Sequence, residues 1–326
     1  MGQTRSSPVT NHAVQSRASQ PTVQVVAPVF NEQDNIAELI QRLTATLDSI
    51  PDVQWSVLFV DDGSRDRTVV MIHEHHVQDP RFSVLRLSRN FGHQAALTAG
   101  IDHATADAVI LMDADLQDPP EVLPEMIDAW LKGHQVILAH RRSRQDTGVR
   151  RIGFALFHRF HQLLTDFQMP ANTGIFGLLD QRVVAALRGL TERNRFLPGL
   201  RHWVGFDQYT VYYDRQARAG GEPKQSLVGL VRYAIDGVLS FSYKPLRLMT
   251  YIGGAVSGLG FSIGLFFIIK RLLGYETAGV GFTTLVTLIV LLGGIQLLAV
   301  GILGEYLARV YDEVKNRPHY VLRDDG

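Results

Sequence analysis

Two long stretches of this chain carry no ionisable side chain. Leu248–Ile269 runs for 22 residues, and Thr277–Gly304 for 28, without Asp, Glu, Lys, Arg or His. At about 1.5 Å of rise per residue, each forms a helix of roughly 30 Å or more, the thickness of a bilayer core. Two buried helices of a soluble core would read the same way, but uncharged runs this long are rare in soluble folds. The chain is therefore expected to divide into a soluble part and a C-terminal two-helix transmembrane hairpin over 246–308. Lys244 and Arg247 precede the first span, and Arg309, Lys315 and Arg317 follow the second. Lys270 and Arg271 sit in the short connection. The larger basic count marks the side bearing both soluble segments as cytoplasmic, with Lys270–Glu276 on the far side.

The 326 residues hold 32 Lys+Arg against 32 Asp+Glu, so no net field points to nucleic acid. The absence of cysteine excludes disulfides, a thiol nucleophile and Cys-based zinc sites. Residues 1–20 are rich in Ser, Thr and Gln and lack an apolar core, which reads as a disordered tail and not a signal peptide.

Between the tail and the first span, short apolar runs alternate with helical spacing. "VQVVAPVF" (Val23–Phe30), "WSVLFV" (Trp55–Val60), "FSVLRLS" (Phe82–Ser88), "DAVILM" (Asp107–Met112) and "QVILAH" (Gln135–His140) read as strands. Ile36, Leu39, Ile40, Leu43 and Leu47 recur at helical spacing, and Asp66 stands where it can cap the next helix. Alternation of this kind predicts an α/β domain with a mostly parallel, doubly wound sheet. Ligands in such sheets sit beyond the carboxyl ends of the strands. Those ends read Asn31-Glu32, Asp61-Asp62-Gly63-Ser64, Ser88-Arg89-Asn90 and Asp113-Ala114-Asp115. No G-x-G-x-x-G follows the first strand, which argues against a dinucleotide site.

The most concentrated signal is "ILMDADLQDPPE" (Ile110–Glu121), an apolar strand ending in Asp113, Asp115 and Asp118. Carboxylates this close repel unless a cation lies between them. Oxygen ligands suit Mg²⁺ or Mn²⁺, ions that commonly also hold substrate phosphates. A solvated acidic loop is the plainer alternative, and a lone D-x-D is weak evidence. A D-x-D closing one strand with "DDGS" closing another is stronger.

The segments "PVFNEQDN", "VDDGSRDRT", "LSRNFGHQAALTAGI", "MDADLQDPPE" and "ERNRFLPGLRHWVGF" together resemble the inverting glycosyltransferases of family 2 with the GT-A fold. More narrowly, the chain is similar to the polyprenyl-phosphate glycosyltransferases, relatives of dolichol-phosphate mannose synthase. Bacterial members of the bactoprenol glucosyltransferase type share two C-terminal spans and an ending like "GEYLARVYDEVKNRP". The likeness covers about residues 21 to 320. It implies that Pro28, Phe30, Glu32, Asp61 and Asp62 hold the nucleotide, and that Asp113, Asp115 and Gln117 handle metal and diphosphate. It also implies that Arg218 and Lys224, in "RAGGEPK", clamp phosphates. Pro223 and Gln225 replace a hydroxyl residue and an aromatic of the family pattern. Ile175 and Gly177, in "NTGIFGLLD", replace an acid and an arginine.

A lipid phosphate monoester, with a second pKa of about 6, is mostly a dianion at neutral pH and needs no obligatory base. Guanidinium forks would neutralise it. Arg141, Arg142, Arg144, Arg150 and Arg151 crowd "HRRSRQDTGVRR". Of these, Arg141, Arg142, Arg150 and Arg151 are the candidates for acceptor phosphate, the alternative being a solvated basic loop or one attracted to anionic lipid. Asp113 is also a candidate orienting or base residue.

Lifting a polyprenyl chain out of the bilayer costs about 0.8 kcal/mol per CH₂, so the site must come to the lipid. Residues 226–245 show an apolar face through Leu227, Leu230, Val231, Ile235, Val238 and Leu239, as an interfacial helix would. The catalytic domain is assigned to 21–225 and a cytoplasmic tail to 309–326. His73, His75 and His76 lack the spacing of a helical zinc pair and read as a solvated face; His93, beside the acidic edge, is a possible phosphate contact; Trp203 and Phe206 read as packing.

The expected protein is a multi-pass enzyme of the bacterial inner membrane with a cytoplasmic catalytic domain. It moves one sugar, with glucose from UDP-glucose the family-typical guess, from a nucleotide donor to undecaprenyl phosphate with inversion. Partners are the donor, the lipid, the bilayer and, from the resemblance, further copies of the chain, up to a tetramer. Two alternatives stay open: a processive polysaccharide synthase, which would show Q-x-x-R-W and more spans, and an inactive membrane scaffold.

Overall fold

The computed structural model describes residues 20–141, 173–193, 195–214, 244–273 and 281–324. Strands β1 (Thr22–Val29), β2 (Gln54–Asp61), β3 (Phe82–Arg86), β4 (Ala108–Leu111), β5 (Val136–Arg141), β6 (Thr173–Asp180) and β7 (Gln208–Tyr213) form one sheet. Its order is β3-β2-β1-β4-β6-β5-β7. β1 pairs in parallel with β2 and β4, β2 with β3, and β5 with β7. β6 runs antiparallel to both β4 and β5. The carboxyl ends of the other strands and the amino end of β6 therefore share one edge.

Helices α1 (Ile36–Leu47), α2 (Thr68–Gln78), α3 (His93–His103), α4 (Leu123–Leu131), α5 (Gln181–Arg188) and α6 (Leu197–Trp203) connect or flank the strands, with a 3-10 turn over Pro120–Val122 before α4. The α1 periodicity is the core-facing stripe: Ile36, Leu39, Ile40, Leu43 and Leu47 are all buried. The N-cap of α2 is Arg67 and not Asp66, which stands one residue earlier and braces the first turn, its Oδ1 accepting from the Thr68 amide at 3.0 Å. Two apolar layers result, one on each sheet face. Phe59, Phe82 and Trp130 anchor one, and Leu97, Ile101 and Leu179 the other.

The structure adds two strands that the sequence did not disclose. β6 lies between β4 and β5, and its apolar residues are covered on both faces. β7 is an edge strand whose burial alternates only partly. Some packing differs too. Trp203 is 63% exposed at the end of α6, whereas Phe206 does pack against the second apolar layer. His75 is not purely solvated, since its ring stands edge-on to Phe82 at 4.7 Å.

Helices α7 (Lys244–Leu272) and α8 (Phe282–Lys315), of 29 and 34 residues, cover both expected spans and touch each other. Among the described residues, one segment, Leu291–Lys315, is long and apolar enough to cross a membrane, where two were expected. α8 ends at Asn316, which takes the left-handed conformation at φ 46°. The chain then returns to the sheet. Leu322 bridges Leu87 antiparallel, the Ser88 amide donates to Val321 O at 2.8 Å, and the Arg323 amide donates to Arg86 O at 2.9 Å. This strap covers the exposed edge of the sheet beside β3, where unpaired backbone groups would otherwise face outward.

Candidate active site

The tips of β1 and β2 are laced together. The Asn31 amide donates to Ser64 Oγ and the Arg65 amide to Asn31 Oδ1, both at 2.9 Å. Asn31 adopts φ 54°, which re-aims the chain so that Phe30, 41% exposed, stands outside the core. Pro28 is buried within β1, and Glu32 accepts from the Asn35 side chain at 2.6 Å. Asp61 and Asp62 are both buried at the end of β2. Asp61 Oδ1 accepts from the Ser64 amide at 2.9 Å, and the Arg86 guanidinium lies 3.8 Å from Oδ2.

Asp62 spends both oxygens on the loop that leads into α3, accepting from the amides of Phe91 at 2.7 Å and Gly92 at 2.9 Å. Burial nevertheless pushes its carboxyl above the ordinary range, and the neighbouring Asp61 adds to the push against those amide bonds. Gly63 holds the two loops close. At φ +80°, a Cβ there would meet Arg89 C and Asn90 N at 2.8 Å. The β2 tip thus shapes the Ser88–Gly92 loop, and so the entry to α3.

His93 opens α3, and its Nε2 sits 2.8 Å from Asp113 Oδ1 at the end of β4. Burial opposes a charge on His93, but the Asp113 hydrogen bond and the charges of Asp113, Asp62 and Asp115 outweigh it and raise its pKa. Those three aspartates therefore act on a single point of the edge. Asp115 is braced locally, accepting from the Gln117 amide at 3.2 Å and from Gln117 Nε2 at 2.6 Å, and Leu116 between them is left-handed at φ 60°. Gln117 thus supports Asp115 as a donor.

Among the described residues, no group of three or more His, Asp or Glu is arranged to hold a metal ion. Two partly exposed carboxylates at a crowded acidic edge still fit a divalent ion that completes its shell with phosphate and water.

Across β6 stands a basic counterpart. Arg141, the last residue of β5, donates through Nε to Tyr213 Oη at 3.0 Å, and Tyr213 Oη donates to Asp118 Oδ1 at 2.6 Å. Arg141 Nη2 lies 3.6 Å from the same carboxylate oxygen, with 32% of the side chain exposed. Burial works against the Arg141 charge, but Tyr213, Asp118 and Asp113 more than offset it and raise its pKa. Arg141 and Asp113 are thus close enough to feel one another. Asp118 belongs to the acidic crowd already noted, but Tyr213 carried no local signal.

Arg142, Arg150, Arg151, Arg218 and Lys224 lie outside the described residues, as does most of the interfacial segment 226–243. The Gly177 departure has a packing reason. A Cβ there would lie 2.5 Å from Ile137 O and 3.0 Å from Arg201 Nη1. Arg201, on α6, is buried and donates to the Ile175 and Gly174 carbonyls at 3.2 and 3.0 Å. Burial lowers its pKa to about 10. Its guanidinium approaches β6 where a larger residue 177 would stand.

Residues 24–188 match the model of glycosyl transferase family 2. An uncharacterized glycosyltransferase of Bacillus subtilis is 41% identical over 92% of this chain and 92% of its own. The SfII prophage-derived bactoprenol glucosyl transferase of Shigella flexneri is 38% identical over 92% of this chain and 97% of its own. Among solved structures, mannosyl-3-phosphoglycerate synthase from Rubrobacter xylanophilus superposes loosely, with a TM-score of 0.46 and 21% identity over 70% of this chain and 74% of that one. An α/β sheet with one reversed strand, an acidic strand-end edge and a family match over the same residues lead to one conclusion: this chain belongs to glycosyl transferase family 2.

Proposed function

We propose that the protein transfers one sugar from a nucleotide-sugar donor to a polyprenyl phosphate at the membrane surface, with inversion at the anomeric carbon. The observation that carries this reading is the opposition of two charges at one sheet edge. Asp113 and Asp115 stand on the donor side, and Arg141 Nη2 lies 3.6 Å from Asp118 Oδ1, on the loop that carries both. The names of relatives, several of them bactoprenol glucosyl transferases, point to the same acceptor class and make glucose the first donor to try.

In this reading the acceptor's phosphate oxygen forms the new bond to the anomeric carbon. The bond from that carbon to the donor's diphosphate breaks, and the nucleoside diphosphate leaves with the electron pair. An acceptor already dianionic needs no proton removed. Arg141 neutralises it as it approaches the diphosphate, while Phe30, Glu32 and the loop fixed by Asp62 border the nucleotide. Asp113 and Asp115 would hold Mg²⁺ or Mn²⁺, which when bound stabilises charge on the departing diphosphate as a Lewis acid. α8, which contains the apolar segment Leu291–Lys315, would tie the protein to the inner membrane, with the catalytic domain in the cytoplasm. The basic segment 142–151 and the pair Arg218 and Lys224 would add phosphate contacts, and homo-oligomers fit the scheme.

Purified protein in detergent, given undecaprenyl phosphate and labelled UDP-glucose, is expected to label the lipid. EDTA should abolish the labelling, and Mn²⁺ should restore it. Asp115→Asn should reduce turnover by about 10²-fold or more, since it removes a charge acting on the transition state. Full activity in Asp115→Asn would contradict the assignment.

A further inference from the structure

Resting on the reading of Arg141 as the acceptor-phosphate residue, we propose that Tyr213 and Asp118 are positioning residues that set its guanidinium at the cleft edge. Three segments distant in sequence meet here. Arg141 and Tyr213 are the last residues of β5 and β7 and face each other in the parallel register. Asp118 comes from the loop that carries Asp113 and Asp115. The Tyr213–Asp118 bond spans 95 residues of sequence at 2.6 Å.

Each member of the network is held in place. Asp118 is 2% exposed and Tyr213 4%. The Tyr213 ring packs edge-on against Phe176 of β6 at 5.5 Å and 90°. A buried carboxylate needs hydrogen-bond partners, and the phenol, with the guanidinium beside it, supplies them. The phenol is well suited to this, because burial and the adjoining Asp118 push its pKa up and keep the proton on Oη. It donates to Asp118 while accepting from Arg141 Nε, and so fixes the plane of the guanidinium.

The same carboxylate couples the two halves of the site. Asp118 sits three residues beyond Asp115, so a shift in the donor-side loop moves the anchor of the acceptor-side arginine. Arginine carries several rotatable bonds, and holding its fork in advance removes an ordering cost from phosphate binding. A network of purely architectural value would not single out one substrate.

The test is a double-mutant cycle on the full chain in detergent micelles, with undecaprenyl phosphate and UDP-glucose as the two varied substrates. Tyr213→Phe should raise KM for the lipid by about ten-fold, the effect of one hydrogen bond to a charged group, and leave KM for the nucleotide sugar within about two-fold. In an Arg141→Gln background the same change should add nothing, because its effect passes through Arg141. Asp118→Asn should follow the same pattern and serves as the second probe. If Arg141→Gln leaves the lipid KM unchanged, the underlying assignment of Arg141 fails. If Arg141→Gln raises it but Tyr213→Phe has no effect, or has an equal effect in both backgrounds, the positioning role fails. Loss of the folded protein in both Tyr213→Phe and Asp118→Asn, seen as lost cooperative melting, would make the network structural and overturn the proposal.

Discussion

Gly63 shows how a single position ties fold to site. Its φ of +80° is one that L side chains rarely adopt, and the space where a Cβ would go is taken by the Arg89–Asn90 backbone. Backbone cannot rotate aside as a flexible side chain does. Gly63→Ala is therefore expected to destabilise the catalytic domain by about 1–3 kcal/mol, read as a lowered melting temperature. The Ser88–Gly92 loop should shift with it and donor binding should weaken. An unchanged melting temperature would mean that the two tips are not packed as described. Much of this edge was legible in the sequence, because apolar runs ending in "DDGS" and "DAD" advertise strand ends and their chemistry together. The partners were not. Asp62 holding the Phe91 and Gly92 amides, or Tyr213 holding Asp118, joins residues far apart in sequence, and no local spacing encodes such a pair. Gly177 was legible only as a departure from a pattern. Its causes are the Ile137 carbonyl of β5, 2.5 Å from where a Cβ would stand, and Arg201, which arrives from another element at 3.0 Å.

Among elements, the strands found from sequence were those with long apolar runs bounded by turn residues. β6 escaped because its glycines broke the run, and β7 because an edge strand buries only part of its alternating pattern. The C-terminal strap was invisible, since pairing between Leu322 and Leu87 has no local signature at all. It joins α8 to the catalytic domain. The Arg193 amide donates to Glu313 at 3.0 Å, and Tyr320 Oη donates to Asp102 at 3.2 Å. His319 lies in this strap. Burial, with Arg195 and Arg193 beside it, lowers its pKa against the opposing pull of Asp102 and Glu313. A depressed folded-state pKa means that the folded form prefers neutral imidazole. Its contribution to docking is thus complete above the ordinary histidine pKa of about 6.5 and is lost as pH falls through the lower, folded value. Hydrogen-exchange protection of the Ser88 and Arg323 amides, taken relative to the intrinsic rate at each pH, should fall on acidification below the ordinary histidine range, and His319→Gln should blunt that change. Protection independent of pH in the native chain would remove His319 from the account.

At the scale of the whole molecule, the sheet edge and the long C-terminal helices serve one arrangement. In the proposed reaction the acceptor's tail stays in lipid, so the catalytic edge would work at the bilayer surface. Apolar side chains of α7 and α8, among them Phe261, Leu297 and Leu303, are more than half exposed. Lipid is the solvent that suits them. The full chain is accordingly expected to stay with the membrane pellet after alkaline carbonate extraction; its recovery in the supernatant would contradict a membrane-spanning α8. The most direct test of the central claim is the mass of the lipid product. Incubation with undecaprenyl phosphate, Mn²⁺ and UDP-glucose should convert the lipid to a species heavier by one hexose, with one UDP released per lipid modified. Unmodified lipid with every common nucleotide sugar, or a ladder of several sugars on one lipid, would contradict it.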